Sequence, residues 1–229
     1  MPDRPSPLIS IIDYGMGNLF SVRQACEYAG MKSVITADKS MIGSSDALIL
    51  PGVGAFGNAM DCLRRLDLIL PIKDFISSGK PFMGICLGLQ LLMSESEEFG
   101  THEGLDIVKG SVVKFPEKNT EGKMSKVPQV GWNRIFTGND PVRRDWEETP
   151  LSRIDDGEFM YFVHSYYVRP ADKKLILSTT DYGGVKYCSG LLYKNVFAVQ
   201  FHPEKSSLEG MKIYQDWLRP FQNQGANDG

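Results

Sequence analysis

Apolar residues fall along the first half of the chain in two alternating rhythms. Short runs that are apolar at nearly every position, "LISIID" (8–13), "SVIT" (33–36), "ALIL" (47–50) and "PFMGIC" (81–86), read as strands buried on both faces. Between them the spacing widens to the period of a helix. "NLFSVRQACEYAG" (18–30) sets Leu19, Val22, Cys26 and Ala29 on one face and stops at Gly30, and helical text recurs near 56–66 and 68–78. After the fourth strand, "LQLLMSE" (89–95) reads as a further helix. Strand and helix alternating at this spacing predict an α/β fold: an open, mostly parallel twisted sheet with helices on both faces.

Beyond about residue 105 the pattern changes to β-like runs. "IVKGSVVKF" (107–115), "FMYFVHSYYV" (159–168), "KLILST" (174–179) and the pair "VKYCSGLLYK" (185–194) and "VFAVQF" (196–201), turned with the help of Asn195, predict antiparallel strands added to the parallel core. An amphipathic helix, "SLEGMKIYQDWLRPF" (207–221), follows. Segments 117–126 and 137–150 are rich in polar and turn-forming residues and read as exposed loops. No repeat or linker composition divides the chain, so a single domain is expected over 8–221, with a flexible leader (1–7) and a flexible tail (222–229).

Composition narrows the classes. Apolar residues make up 42% and charged residues 23%, too apolar for disorder, and the net charge of −3 argues against a nucleic-acid surface. No apolar run approaches the ~20 residues that span a bilayer, and "MPDRPSP" lacks the apolar centre of a signal peptide, so a cytoplasmic protein is expected. Cys26, Cys62, Cys86 and Cys188 have no paired spacing and the chain has only three histidines, which points neither to disulfides nor to zinc. Four free thiols are expected, with Cys26 and Cys62 in the core.

"ALILPGVGAFG" (47–57) carries Gly52, Gly54 and Gly57 after a strand, literally a dinucleotide fingerprint. That fingerprint needs an acidic residue at the end of the next strand to hold a ribose hydroxyl. Here the next strand ends in Cys86, and Asp67 and Asp74 lie in helical text. No cofactor is therefore expected. Instead "GICLG" sets Cys86 between Gly84 and Gly88, the nucleophile elbow with sulfur in place of oxygen. The start of a helix beside it favours thiolate. "HPE" presents His202 at a strand's end with Glu204 two residues on, a carboxylate able to orient the imidazole while its other nitrogen faces the thiol. Cys86, His202 and Glu204 form a triad in role; without a fourth ligand they make no metal site. Acyl transfer also needs oxyanion donors: the amide of Leu87, and a second from the glycine-lined "PGVGAFG" loop, where peptide planes are unobstructed. His164 reads as a packed histidine within a β-run and His102 as a solvated one in a loop.

"GICLGLQ", "HPE" and "PGVGAFG" together resemble the class I, triad-type glutamine amidotransferases. "IIDYGMGNLFSV", "VPQVGWN", "YFVHSYYV" and "QFHPEKS" narrow the resemblance to the glutaminase subunits of imidazole glycerol phosphate synthases, and the motifs run in order from residue 11 to 207. The resemblance implies a flavodoxin-like fold and hydrolysis of L-glutamine to glutamate and ammonia through a thioester. It makes Cys86 the nucleophile, His202 the base and then acid, Glu204 its partner, and Val53, Gly54 and Leu87 the oxyanion site. Gly52, Gln90, Glu98 and the "HSY" edge, His164, Ser165 and Tyr166, match substrate-binding positions. Asn18, Trp132, Asn133 and Lys205 match positions on or near the interface with a barrel-shaped cyclase, the HisF-type partner of a heterodimer in histidine biosynthesis. The family commonly carries histidine where this chain has Gln129, which leaves open a second acceptor, a surface-polysaccharide sugar served by a paralogous subunit. From the residues alone, Trp132 is either a partner anchor or a core aromatic.

Overall fold

Five apolar runs pair side by side as the parallel heart of one sheet. The computed structural model describes residues 6–118, 126–138 and 145–219. In chain order the strands and helices of the first half are β1 (Leu8–Ile12), α1 (Leu19–Tyr28), β2 (Lys32–Thr36), α2 (Lys39–Ser44), β3 (Ala47–Gly52), α3 (Phe56–Arg65), α4 (Ile69–Ser77), β4 (Phe82–Cys86) and α5 (Leu87–Leu91). The second half adds β5 (Glu95–Ser96), β6 (His102–Glu103), β7 (Gly110–Lys114), β8 (Gln129–Arg134), β9 (Phe136–Thr137), β10 (Phe159–His164), β11 (Tyr166–Pro170), β12 (Ile176–Tyr182), β13 (Val185–Tyr193), β14 (Val196–Val199) and α6 (Ser207–Asp216).

The main sheet runs β2-β1-β3-β4-β14-β13-β11-β7-β5-β6, with β12 and β9 branching from β13. Strands β2 to β14 of that order are parallel, and β13, β11 and β7 continue it antiparallel. Successive residues of the parallel strands feed opposite cores, as the two-residue period of a strand requires. Ile49, Met83, Ile85, Phe197 and Val199 join the layer of α1 and α6, while Leu48, Leu50, Phe82, Val196 and Ala198 join that of α2 to α5.

The structure departs from the sequence reading in five places. The helix after β4 begins directly behind Cys86 and ends at Leu91, so most of "LQLLMSE" lies beyond it. Beyond Leu91 the chain turns, the Met93 N–H donating to the Gln90 carbonyl (3.0 Å), and Glu95–Ser96 pairs with β7. "FMYFVHSYYV" is two strands: β10 leaves the main sheet to form a ribbon with β8, and β11 re-enters it after Ser165. β8 itself, Gln129–Arg134, is a strand that the apolar pattern does not predict. Segment 137–150 is not uniformly exposed either: Thr137 is in β9, and Trp146 is buried with its Nε1 donating to the Leu177 carbonyl (2.8 Å). Finally, in the turn between β13 and β14 Lys194 takes the left-handed φ of 52°, while buried Asn195 ties the turn down by donating to the Ile76 and Lys80 carbonyls.

All four cysteines are free, with Cys26 and Cys188 buried but Cys62 only partly so. His102 is half-buried and packs against Gly57, not solvated. The expected leader lies mostly, and the expected tail wholly, outside the described residues, as do the centres of both polar loops.

Candidate active site

Cys86 closes β4 and opens α5, and the backbone turns there through φ 55° and ψ −107°. A left-handed φ on a residue with a side chain costs about 1–3 kcal/mol, so the surroundings must impose it. They do so through the flanking glycines. A methyl on Gly88 would stand 1.8 Å from the Leu50 carbonyl oxygen, and one on Gly84 would stand 3.0 Å from the Gly88 carbonyl oxygen. The start of the helix, β3 and β4 thus close on one another with no room for a side chain, and Cys86 is thrust out at the sheet's carboxyl edge.

His202 follows β14 on the neighbouring strand. Its backbone N–H donates to the Tyr161 carbonyl (2.9 Å) and its carbonyl accepts from Ser206 Oγ (2.7 Å). Its Nδ1 lies 2.8 Å from Glu204 Oε1, and both side chains are almost wholly excluded from solvent. That contact leaves Nε2 for the thiol; it is buried and has no hydrogen-bond partner among the described residues. Burial works against the imidazolium, but the negative charge of a Cys86 thiolate, and then the Glu204 carboxylate, outweigh it and hold the His202 pKa up to about 10. His202 is therefore a proton donor at neutral pH whenever Cys86 is charged.

A pocket of about 410 Å³ opens over the sulfur. With Cys86 it is lined by Val53, Gly54, Leu87, Gln90, Glu98, Pro128, Val163, His164, Ser165, Tyr166 and Lys205. The expected oxyanion and substrate residues are thus together, with Gly52 just behind, level with Cys86 in the β3–β4 register. Gly54 has φ 97°, a conformation that suits glycine. Both amide hydrogens of Gln90 are used, one to the Tyr166 carbonyl (2.9 Å) and one to Gln200 Oε1 (3.1 Å), which leaves its carbonyl for a ligand's donor. Glu98 Oε2 accepts from the Phe56 N–H (2.6 Å), supplying the cap that α3 otherwise lacks.

His164 is packed as expected: Nδ1 meets the Tyr166 carbonyl (2.8 Å), Nε2 meets the Tyr187 hydroxyl (3.2 Å), and burial pulls its pKa down to about 4. It is a neutral wall of the pocket. Gln129 is likewise internal, its side-chain amide 3.0 Å from the Tyr187 hydroxyl. A wider cleft, about 1010 Å³, lies between β11, β13 and the turn before β12 and contains none of the expected site residues.

The four interface candidates separate. Asn18 caps α1 by accepting from the Ser21 N–H (3.4 Å). Trp132 is 53% exposed on the outer face of the β8–β10 ribbon, set edge-on to Tyr161, so it is not a core aromatic. Lys205 lies over that same Tyr161 ring (5.9 Å). Asn133 points to the other face, donating to the Asp181 carbonyl (3.0 Å).

Two site residues escape the sequence reading. Tyr14 is buried beneath the glycine loop and donates to the Pro51 carbonyl (2.9 Å), and burial, with the nearby Cys86 charge, keeps it a neutral phenol by raising its pKa. Gln200, fully buried, donates from Nε2 to Cys86 Sγ (3.6 Å). The only sequence signal for either is a polar group inside an apolar strand context next to a motif.

A strained thiol elbow, an imidazole oriented by a carboxylate and a glycine-lined wall define a triad-type thiol enzyme of acyl transfer on an open α/β sheet. The chain belongs to the class-I glutamine amidotransferases, whose family model matches residues 10–220, and within them to the HisH subunits of imidazole glycerol phosphate synthase. It is 49% identical over 209 residues to "Imidazole glycerol phosphate synthase subunit HisH" of Rhodopirellula baltica, covering 91% of this chain and 95% of that protein. With the subunit of the same name from Syntrophotalea carbinolica it shares 46% identity over 212 residues, covering 92% and 98%. Among solved structures, PurLQS from Thermotoga maritima matches with a TM-score of 0.68 at 22% identity, over 95% of this chain and all of that one, a likeness of fold. Among the described residues, no helix is long and apolar enough to cross a membrane.

Proposed function

We propose that a single domain over 8–221 works as the glutaminase subunit of an imidazole glycerol phosphate synthase. It hydrolyses L-glutamine through a γ-glutamyl thioester on Cys86 and passes the ammonia to a barrel-shaped, HisF-type cyclase, which uses it in histidine biosynthesis in the cytoplasm. The observation that carries this reading is the strained Cys86 elbow opening into the 410 Å³ pocket, with the His202–Glu204 pair behind it.

In the first half-reaction the Cys86 thiolate attacks the side-chain amide carbon. The carbonyl becomes an oxyanion, to be met by the Leu87 amide and a peptide N–H of the Val53–Gly54 segment. As the intermediate collapses, His202 gives its proton to the departing nitrogen and ammonia leaves. His202, now neutral, takes a proton from water as that water attacks the thioester; glutamate departs and the thiolate returns. Gln90 and Glu98 would hold the substrate's α-ammonium, and the Ser165–Tyr166 edge its carboxylate end.

The reading of a cyclase partner is supported by the outer face of the β8–β10 ribbon. There Val130, Trp132 and Phe159 are 57%, 53% and 42% exposed; Trp132 is paired with Tyr161 and Phe159 with Arg134, and the Arg134 and Lys205 cations lie over the Phe159 and Tyr161 rings. An aromatic cluster with a cationic rim suits a protein interface. The ribbon's β10 strand also carries the Tyr161 carbonyl that anchors His202, so a docked partner would lie next to the triad. The sugar acceptor rested on Gln129, and that residue's burial against Tyr187 gives it no part in a partner-facing surface.

The test is glutamate release by the purified chain with a HisF-type cyclase and its nucleotide substrate. Wild type should turn over and Cys86→Ala should fall to background; turnover in the variant would remove Cys86 from the mechanism.

A further inference from the structure

Gln200 follows β14, two residues before His202, and its side chain is wholly buried. A buried primary amide must satisfy its donors and its carbonyl inside the protein or forfeit their solvation. Gln200 does so with two residues of the site. Its Nε2 donates to Cys86 Sγ (3.6 Å) and its Oε1 accepts from Gln90 Nε2 (3.1 Å). Gln90's remaining hydrogen goes to the carbonyl of Tyr166 in β11 (2.9 Å). The backbone of Gln200 is itself fixed, its N–H donating to the Ser189 carbonyl on the adjacent β13 (2.9 Å). One side chain held by the sheet thus bridges the nucleophile and the substrate wall.

We infer that Gln200 is a positioning residue that couples the two halves of the site, its N–H supporting the Cys86 sulfur and its carbonyl holding Gln90 with the amide oxygen turned toward the substrate. This rests on the thioester glutaminase reading. The chemistry gives the N–H a purpose at two moments. Sulfur is anionic before attack, neutral in the thioester, and anionic again as it leaves; a fixed donor favours both anionic states. The carbonyl has a different purpose: with its acceptor gone, Gln90 is free to rotate and present N–H groups to an ammonium that needs an oxygen.

His202, Tyr14 and Tyr187 interact electrostatically with Cys86, and Glu98, His164, Tyr166 and Lys205 line the same pocket. Burial, reinforced by the Cys86 charge, raises both tyrosines and keeps them neutral.

Gln200→Met removes donor and acceptor at similar volume, whereas Gln200→Glu keeps an acceptor for Gln90 and removes the donor. Both are made in the full chain and assayed with the cyclase. The first readout is the pH dependence of iodoacetamide alkylation without glutamine, followed on the Cys86 peptide by mass spectrometry. The midpoint should move up in both variants by at least about one pH unit, the tenfold change that a charge-assisted hydrogen bond supplies. The second is the KM for glutamine, expected to rise about tenfold or more in Gln200→Met and to stay within about threefold of wild type in Gln200→Glu. An unmoved alkylation profile, or equal KM values in the two variants, overturns the inference. Should Gln200→Met fail to fold, the profile of Gln200→Glu decides. Absence of glutaminase turnover in the wild type would instead defeat the parent reading, and the alkylation profile separates the two failures.

Discussion

Replacing Gly88 with alanine places a methyl 1.8 Å from the Leu50 carbonyl oxygen, and this clash is with backbone, which has no rotamer to relax into. To reach the 3.0 Å below which real contacts essentially never fall, α5 and β3 must part by more than 1 Å. Overpacking of this kind costs about 1–3 kcal/mol, and the absence of a flexible neighbour puts it at the upper end. The better helix propensity of alanine returns about 1 kcal/mol, leaving a net loss of about 2 kcal/mol, or roughly 4–8 °C in Tm for a domain of this size. The effect on turnover should be greater. Cys86 and Leu87 lie within two residues of the clash, and a misplacement on the order of 1 Å costs about 100-fold in rate. Gly43→Ala is the control: in α2, with no atom within 4 Å of the added methyl, it should be neutral or stabilising by up to about 1 kcal/mol and leave turnover unchanged. Thermal unfolding and glutamate release with the cyclase give both quantities. A Gly88→Ala protein with wild-type Tm and turnover would refute the argument that close backbone approach at this glycine builds the elbow.

Two further outcomes are expected. The His202 pKa is raised from 6.5 to about 10, so the stability it confers is fully present below pH 6.5 and lost as pH climbs toward 10; unfolding followed by pH should show that decline, and Glu204→Gln or Cys86→Ala should flatten it. Trp132→Ala removes an exposed aromatic anchor, so cyclase affinity measured by calorimetry should weaken by about 2 kcal/mol, roughly 30-fold, while Tm shifts by no more than a surface change allows, within about 0.5 kcal/mol.

The layered α/β core was legible because each parallel strand is apolar at nearly every position, and the elbow because glycines bracket a cysteine where a strand's apolar run ends. Periodicity could not find the break at Ser165: Phe159 to Val168 is continuously β-like, and only tertiary pairing sends its first half to β8 and its second to β7. The end of α5 was hidden for a similar reason, since burial continues unbroken from the helix through Leu92 and Met93 and gives no periodic mark of where the helix stops. Within the site, the Cys86 elbow and the His202–Glu204 contact were legible from local spacing. The hydrogen-bond roles of Tyr14 and Gln200 were not, because their partners, Pro51 and Cys86, lie 37 and 114 positions away along the chain.

Whether Cys86 is the nucleophile in a glutamine-binding pocket is decided by labelling with a chloromethyl ketone built on the L-glutamine backbone. One equivalent should be incorporated, located on the Cys86 peptide by mass spectrometry, with excess glutamine protecting it and turnover lost in step. Incorporation on partly buried Cys62, or labelling of Cys86 that glutamine does not slow, would contradict that role.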